Sequence, residues 1–159
     1  YRSGRGLEMA GTAEELKAQI TSYMDNCPVC VVATANVDGQ PSAATVYFKR
    51  SGLDVYFNAA RDSQKVQNIL ANARVAIVMQ EDAPIPRSDL EIKGIQAIGT
   101  AKVLGDGEAG TVPRAVLTRH NTFNRWKPGG AVVVKVTLSE IQLIDYSKGL
   151  RHRELLRPG

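Results

Sequence analysis

Histidine and cysteine are scarce in this chain, two of each among 159 residues, and that scarcity removes several kinds of chemistry at once. A zinc site needs about four nitrogen or sulfur ligands. His120 and His152 stand far from Cys27 and Cys30 and show no ligand spacing, so no metal is expected. No GxSxG, HExxH or phosphate-binding GxxxxGKS/T pattern occurs, which argues against a serine hydrolase, a zinc protease and a P-loop nucleotidase. Long apolar runs are missing too; all fall far short of the roughly 20 residues that a membrane helix requires. The opening residues YRSGRGLEM are basic but are not followed by the apolar stretch of a secretory signal. A dense block of lysine and arginine interleaved with aromatics is likewise lacking. Net charge is +4 and the pI about 9.2, but six of the twenty cations (Arg2, Arg5, Lys148, Arg151, Arg153, Arg157) sit in the two tails. That balance suits small anionic ligands and gives little reason to expect nucleic acid. Two cysteines without a signal point to a reducing compartment, and the cytoplasm is expected.

What is present describes one globular domain. Apolar residues make up 43% and charged residues 23% of a chain long enough for one real core. Met9 is read as the natural start, with residues 1–11 a disordered or appended leader, 12–146 the domain, and 147–159 a basic C-terminal tail.

Thr12 and Glu15 form a capping-box pattern ahead of Leu16, Ile20, Tyr23 and Met24, which share one helical face. A helix over 13–25 follows, ended by Pro28. Residues 29–35 form a short apolar, β-branched run, hence a buried strand. Asp38-Gly39 signals a hairpin turn. In 42–49 Ala44, Val46 and Phe48 alternate with Thr45, Tyr47 and Lys49. Ser51-Gly52 turns the chain into a third strand, 53–58, completing an antiparallel meander. A helix over 63–72, a strand over 74–80 and a proline-containing loop over 81–89 come next. Residues 90–104 are long for one strand, and Gly94 and Gly99 can mark bulges. Residues 106–110 read as loop, and Pro113 opens a third helix whose apolar face is Val116, Leu117, His120, Phe123 and Trp126. Residues 131–138 form another strand, continuing with a kink to 144; from Tyr146 the tail is expected to be mobile. The order suggests an α+β fold, a six- to seven-stranded antiparallel barrel with flanking helices.

The chain is organised around VYFNAARDSQKVQNIL, residues 55–70, where a strand is expected to give way to a helix. Ser63 stands at the N-cap position, where its hydroxyl can accept from free backbone N–H groups. Lys65 lies in the first turn, although helix starts favour acids. A cation and a hydroxyl beside unsatisfied donors can seat a phosphate dianion; an ordinary capped helix with a solvated lysine is the plain alternative. Cys27-Pro28-Val29-Cys30 has CxxC spacing, yet it stands where a helix ends and a strand begins. It lacks the helix N-terminus that lowers a redox thiol's pKa, and the two are read as buried cysteines at the start of a strand. His120 reads as a packed histidine in preference to a base. Trp126 can cover a flat aromatic ligand or plug a barrel end.

These elements, in this order, resemble the pyridoxamine 5′-phosphate oxidase-like FMN-binding split-barrel family over roughly residues 14–144. The likeness rests on VVATANVDGQPSAATVYFK, on VYFN followed by RDSQK, on VQNILANARVAIVM and on GIQAIGTAKV. FNRW followed by AVVVKVTLSE is similar to the small FMN-binding members more than to the oxidase itself. The resemblance implies a homodimer with two FMN sites at the subunit interface. It implies that Ser63, Gln64 and Lys65 hold the phosphate, with Phe57 and Asn58 leading into that turn and Arg61 an added ligand. Thr45, Val46 and Tyr47 would lie along the isoalloxazine edge, and Trp126 against the ring. Lys49 aligns with a lysine that binds substrate phosphate in the oxidase.

Departures from the oxidase are plain. Ala44 stands where the oxidase has an arginine for the FMN phosphate, its substrate-binding tyrosine, arginine and serine are missing, and Arg151-His152 does not match its terminal spacing. Vitamin-B6 oxidase activity is not expected. The implied activity is a flavin-dependent oxidoreductase or flavin reductase on a small molecule; the alternatives are a non-enzymatic flavin carrier, or the same scaffold holding a deazaflavin or haem. A flavin would carry the redox chemistry, which is consistent with a chain lacking a catalytic triad.

Overall fold

Strands dominate because the apolar residues recur every second position through β-branched runs, so that each strand buries one face. A computed structural model describes residues 9–82, 88, 91–113 and 130–159. The strands are β1 (Val29–Ala35), β2 (Pro41–Ser51), β3 (Asp54–Ala60), β4 (Arg74–Met79), β5 (Lys93–Leu104), β6 (Ala131–Asp145) and β7 (Arg153–Leu156). The α-helices are α1 (Met9–Asp25) and α2 (Gln64–Ala71). Strand order is β3-β2-β1-β4-β5-β6-β7, antiparallel throughout, and β6 also pairs with β3. Six strands thereby close into a barrel, and β7 lies outside the ring. This is the α+β split barrel that the sequence predicts.

The barrel interior takes Val32, Phe48, Phe57, Ile77, Ile95 and Val134, with the other inward residues of the same strands. Ile20 and Met24 of α1 join them, 0% and 1% exposed, from the end of the barrel where Arg50 forks onto Asp25. Val66 and Ile69 of α2 join from the other end, where the helix touches β1, β2, β3 and β5. The hairpin between β1 and β2 is set by Asn36, whose Oδ1 accepts from the N–H groups of Asp38 and Gln40 at 3.0 and 2.9 Å. Gly39 there has φ 83°, a conformation that L side chains rarely adopt.

Two neighbours compete for β3. It pairs with β2 only from Ser51↔Asp54 to Phe48↔Phe57, and with β6 from Val55↔Val136 to Ala60↔Ala131. Beyond Phe48 the two strands part, so residues 41–47 of β2 keep β1 as their sole strand partner among the described residues.

Several expectations are corrected. The first helix spans Met9–Asp25, so Thr12 lies within it and not at its start. The expected kink in β6 is a one-residue bulge: Ile98 faces Glu140 and Gly99 faces Leu138, leaving Ser139 over, with its hydroxyl donating to the Ile98 carbonyl at 3.2 Å. Gly94 shows no such shift. Residues 106–110, read as loop, belong to a 3₁₀ helix over Asp106–Thr111, and Val112 beyond it covers Tyr56 and Leu104 on the barrel's outer face. The basic tail is not loose: β7 pairs Ile141↔Leu156 through Ile144↔Arg153, and Arg157 bonds Glu140 at 3.2 Å. Most of the proline loop and the third helix, with His120 and Trp126, lie outside the described residues.

The bulge explains Gly99. A Cβ there would meet the Thr137 carbonyl oxygen at 2.3 Å and the Leu138 Cα at 3.0 Å, both backbone. Gly99→Ala is therefore expected to destabilise the protein by about 1–3 kcal/mol, the range of overpacked cores. Urea denaturation measures this; an unchanged midpoint would show that the strands do not cross so closely.

Candidate functional site

The candidate site forms where β3 leaves β2. The chain turns after Ala60, its register held by the Arg61 N–H donating to the Gly130 carbonyl at 3.2 Å, just ahead of β6. Within the turn the Ser63 N–H and hydroxyl both donate to the Ala60 carbonyl, at 3.0 and 2.7 Å. Gln67 Nε2 donates to the Arg61 carbonyl at 3.1 Å. The first intrahelical bond is Gln67 N–H to Ser63 carbonyl, 3.1 Å.

This arrangement corrects the capping expectation. Ser63 occupies the N-cap position with extended backbone, but its hydroxyl makes no bond to the first-turn amides. Its proton is spent backwards on Ala60. The N–H groups of Gln64, Lys65 and Val66 are left without a partner among the described residues, as the first donors of any α-helix are unless something caps them. Aligned peptide dipoles add a partial positive charge there. Lys65 adds a full one, and no described carboxylate lies within ion-pair distance of it. It is half-buried, as is Ser63, while Arg61 and Gln64 are exposed.

Other predicted residues are placed along the strands that flank this corner. Thr45 and Tyr47 project from the outer face of β2, Tyr47 at 73% exposure. Lys49, half-buried, lies on that same face opposite Tyr56. Val46 and Phe57 are core residues, 7% and 0% exposed, so only their backbones can serve a ligand. Asn58 is half-buried and registers with Val133 of β6. Residues 45–47 lie on the part of β2 that β3 has abandoned, where backbone groups facing away from β1 have no strand partner. The fold thus brings the β2 edge and the 61–65 turn to neighbouring strand ends. Trp126 lies outside the described residues.

The sequence reading missed two features. Asn68, 3% exposed, bonds across to Thr34 of β1 and back to Gln64, tying the first turn of α2 into the core. A groove of about 460 Å3 lies at the barrel's opposite end, between α1 and the ends of β5 and β6, with Tyr23, Glu81, Lys93, Asp145 and Lys148 on its walls. Burial there raises the Tyr23 phenol's pKa, although its oxygen accepts from the Glu81 N–H at 3.1 Å. His152 belongs to that end also, with Nε2 at 3.8 Å from Glu154 Oε2. No group of histidine, cysteine and acidic side chains suited to a metal occurs among the described residues, and no described helix is long and apolar enough to cross a membrane.

Comparison with known proteins agrees with the geometry. The sequence matches the family described as pyridoxamine 5′-phosphate oxidase over residues 12–145, and the chain belongs to that family. No curated protein matches it by sequence. Among solved structures it is similar to general stress protein 26 of Bacillus anthracis: 22% identity, 91% of this chain and 99% of that one, TM-score 0.67. It is similar to a protein of Clostridium acetobutylicum related to general stress protein 26 of the pyridoxinephosphate oxidase family: 13% identity, 91% and 95% coverage, TM-score 0.67. A haem-binding protein of Mycobacterium smegmatis shares the fold at 15% identity and TM-score 0.73, over 91% of this chain but 57% of that one. Such identities speak for the fold alone.

Both cysteines are free and buried, at the start of β1 as expected. Burial pushes Cys27 up to about 11 and Cys30 up to about 12. The folded thiols therefore stay protonated where unfolded ones, near 9.0, begin to ionise. Their contribution to stability is intact below that pH and is lost as pH climbs from there toward 12. At about pH 8 the native protein is expected to resist thiol reagents until urea is added. Rapid labelling of the folded protein would contradict the buried, non-redox assignment.

Proposed function

We propose that this chain binds FMN, with the phosphate on the first turn of α2 and the ring along the open edge of β2, and acts as a cytoplasmic flavin-dependent oxidoreductase or flavin reductase on a small molecule. One observation carries the reading: the serine that ought to cap α2 turns its hydroxyl to Ala60, leaving three amides beside Lys65 with no partner among the described residues. The donor set fits a phosphate monoester dianion, which takes charge-assisted bonds from an ammonium and from backbone N–H groups together. Arg61 and the Gln64 carboxamide border the same turn. The abandoned edge of residues 45–47 offers backbone donors and acceptors to a planar heterocycle, and Lys49, on the same face as Thr45 and Tyr47, supplies positive charge near that strand. FMN, when bound, supplies reversible electron and hydride transfer; the chain's own part is to hold it, orient it and favour the anionic reduced form. Cysteines present as free thiols agree with a reducing compartment.

A second copy of this chain completes the proposal. The outer face of β2, β1, β4 and β5 carries Tyr47, Val31, Val78 and Ile98 at 73, 36, 46 and 52% exposure. Val31 and Val78 are direct cross-strand partners, and Ala33, Ala76 and Ile98 form the next row. Outward positions on a half-exposed sheet are normally polar. A contiguous apolar face of this kind marks an interface, and its edge at Tyr47 adjoins the proposed ring site.

Lys65→Ala is expected to weaken FMN binding by roughly 1.5–3 kcal/mol, the scale of charge-assisted hydrogen bonds. Unchanged affinity in a fluorescence titration would place the phosphate elsewhere. Val78→Glu is expected to yield a monomer in sedimentation with weakened FMN binding, whereas a dimer that survives would move the interface. Haem, the alternative that the name of the mycobacterial structure also suggests, is tested by the same preparation: a Soret band on adding haem, with no flavin uptake, would replace the flavin reading.

A further inference from the structure

Apart from Asn68 and Thr34, 3% and 4% exposed, the buried side chains among the described residues are apolar. Their bonds form a single line. Asn68 Nδ2 donates to Thr34 Oγ1 of β1 at 3.0 Å, and Asn68 Oδ1 accepts from Gln64 Nε2 at 2.8 Å. The line begins inside the barrel and ends on an exposed side chain in the uncapped first turn of α2. Packing alone does not call for it, since leucine and valine would fill the same volumes without a carboxamide to satisfy.

What the line accomplishes is to fix Gln64. An unanchored glutamine at a helix start samples many rotamers, and ordering it on a ligand carries an entropy loss. Here one Nε2 hydrogen is committed to Asn68, so the carboxamide is held before any ligand arrives. Its second Nε2 hydrogen has no partner among the described residues, and it belongs to the same turn as the free amides of residues 64–66 and the Lys65 ammonium. Donors held in place in advance bind an anion better than donors that must first be ordered.

We propose that Asn68, backed by Thr34, is a positioning residue for the anion corner: it holds Gln64 as a phosphate donor and so sets the preference for FMN over riboflavin. The proposal rests on the flavin reading above. Its readout is the ratio of riboflavin to FMN dissociation constants, which a merely structural role would not move, because loss of fold or of ring contacts weakens both flavins together.

Asn68→Leu is expected to lower that ratio about 3- to 10-fold, the scale of one hydrogen bond, with riboflavin affinity within about twofold of wild type. Gln64→Ala should lower it equally, and the double variant no further, since both remove one coupled contact. Thr34→Val should lower it in part while Thr34→Ser preserves it, a pair that retains the test if Asn68→Leu does not fold. An unchanged ratio in Asn68→Leu, additive losses in the double variant, or parallel weakening of both flavins would overturn the proposal and leave FMN binding standing. A wild-type protein that takes up neither flavin would overturn the flavin reading itself, and this inference with it.

Discussion

The closure of the barrel through β3 and β6 is the constraint on which the rest depends. A short strand of seven residues serves two neighbours, β2 over its first half and β6 over almost its whole length. Following β6 draws it away from β2, and the pairing between them stops at Phe48↔Phe57. Two consequences follow from that one divergence. The remainder of β2 is left with an unpaired edge, and the chain arrives at Ala60 beside β6, where it must turn into α2 across the barrel's end. Backbone polar groups stranded in this way need partners from somewhere. Among the described residues the edge stays open beside a helix start that no side chain caps, and the proposed FMN site rests on that pairing.

The length of β6 makes this possible. Fifteen residues are enough to pair with β3 at one end, with β5 from Val133 to Asp145, and with β7 at the other end. The bulge at Ser139 and the side-chain-free Gly99 let so long a strand bend between those roles. Family membership and the barrel are thus one finding seen twice, since the matched segment, residues 12–145, stops at the last residue of β6.

Much of this was legible beforehand. The strands announce themselves because their apolar residues are β-branched and either alternate or run unbroken between glycine and asparagine turns; β1 was read at its observed bounds. The turn at residues 61–65 could be picked out because a lysine at a helix start runs against the usual preference for acids. What escaped the sequence was contextual. The role of the Ser63 hydroxyl depends on where the Ala60 carbonyl sits, which no local pattern reveals. The strand at Arg153–Leu156 is only four residues long and half polar, so its pairing with β6 draws on the Arg157–Glu140 ion pair and Leu156 packing more than on propensity. Helix α1 continues to Met9 past a good capping signal because Thr12 is also acceptable within a helix. No local pattern singled out Asn68, whose burial follows from how α2 lies across the barrel.

The most direct test of the central claim is a backbone-amide NMR titration of the protein with FMN. Saturable shifts are expected at Gln64, Lys65 and Val66 and along residues 45–47, the two stretches with backbone groups that have no partner among the described residues. Shifts confined to the groove between α1 and the end of β6, with the α2 turn unmoved, would contradict the account.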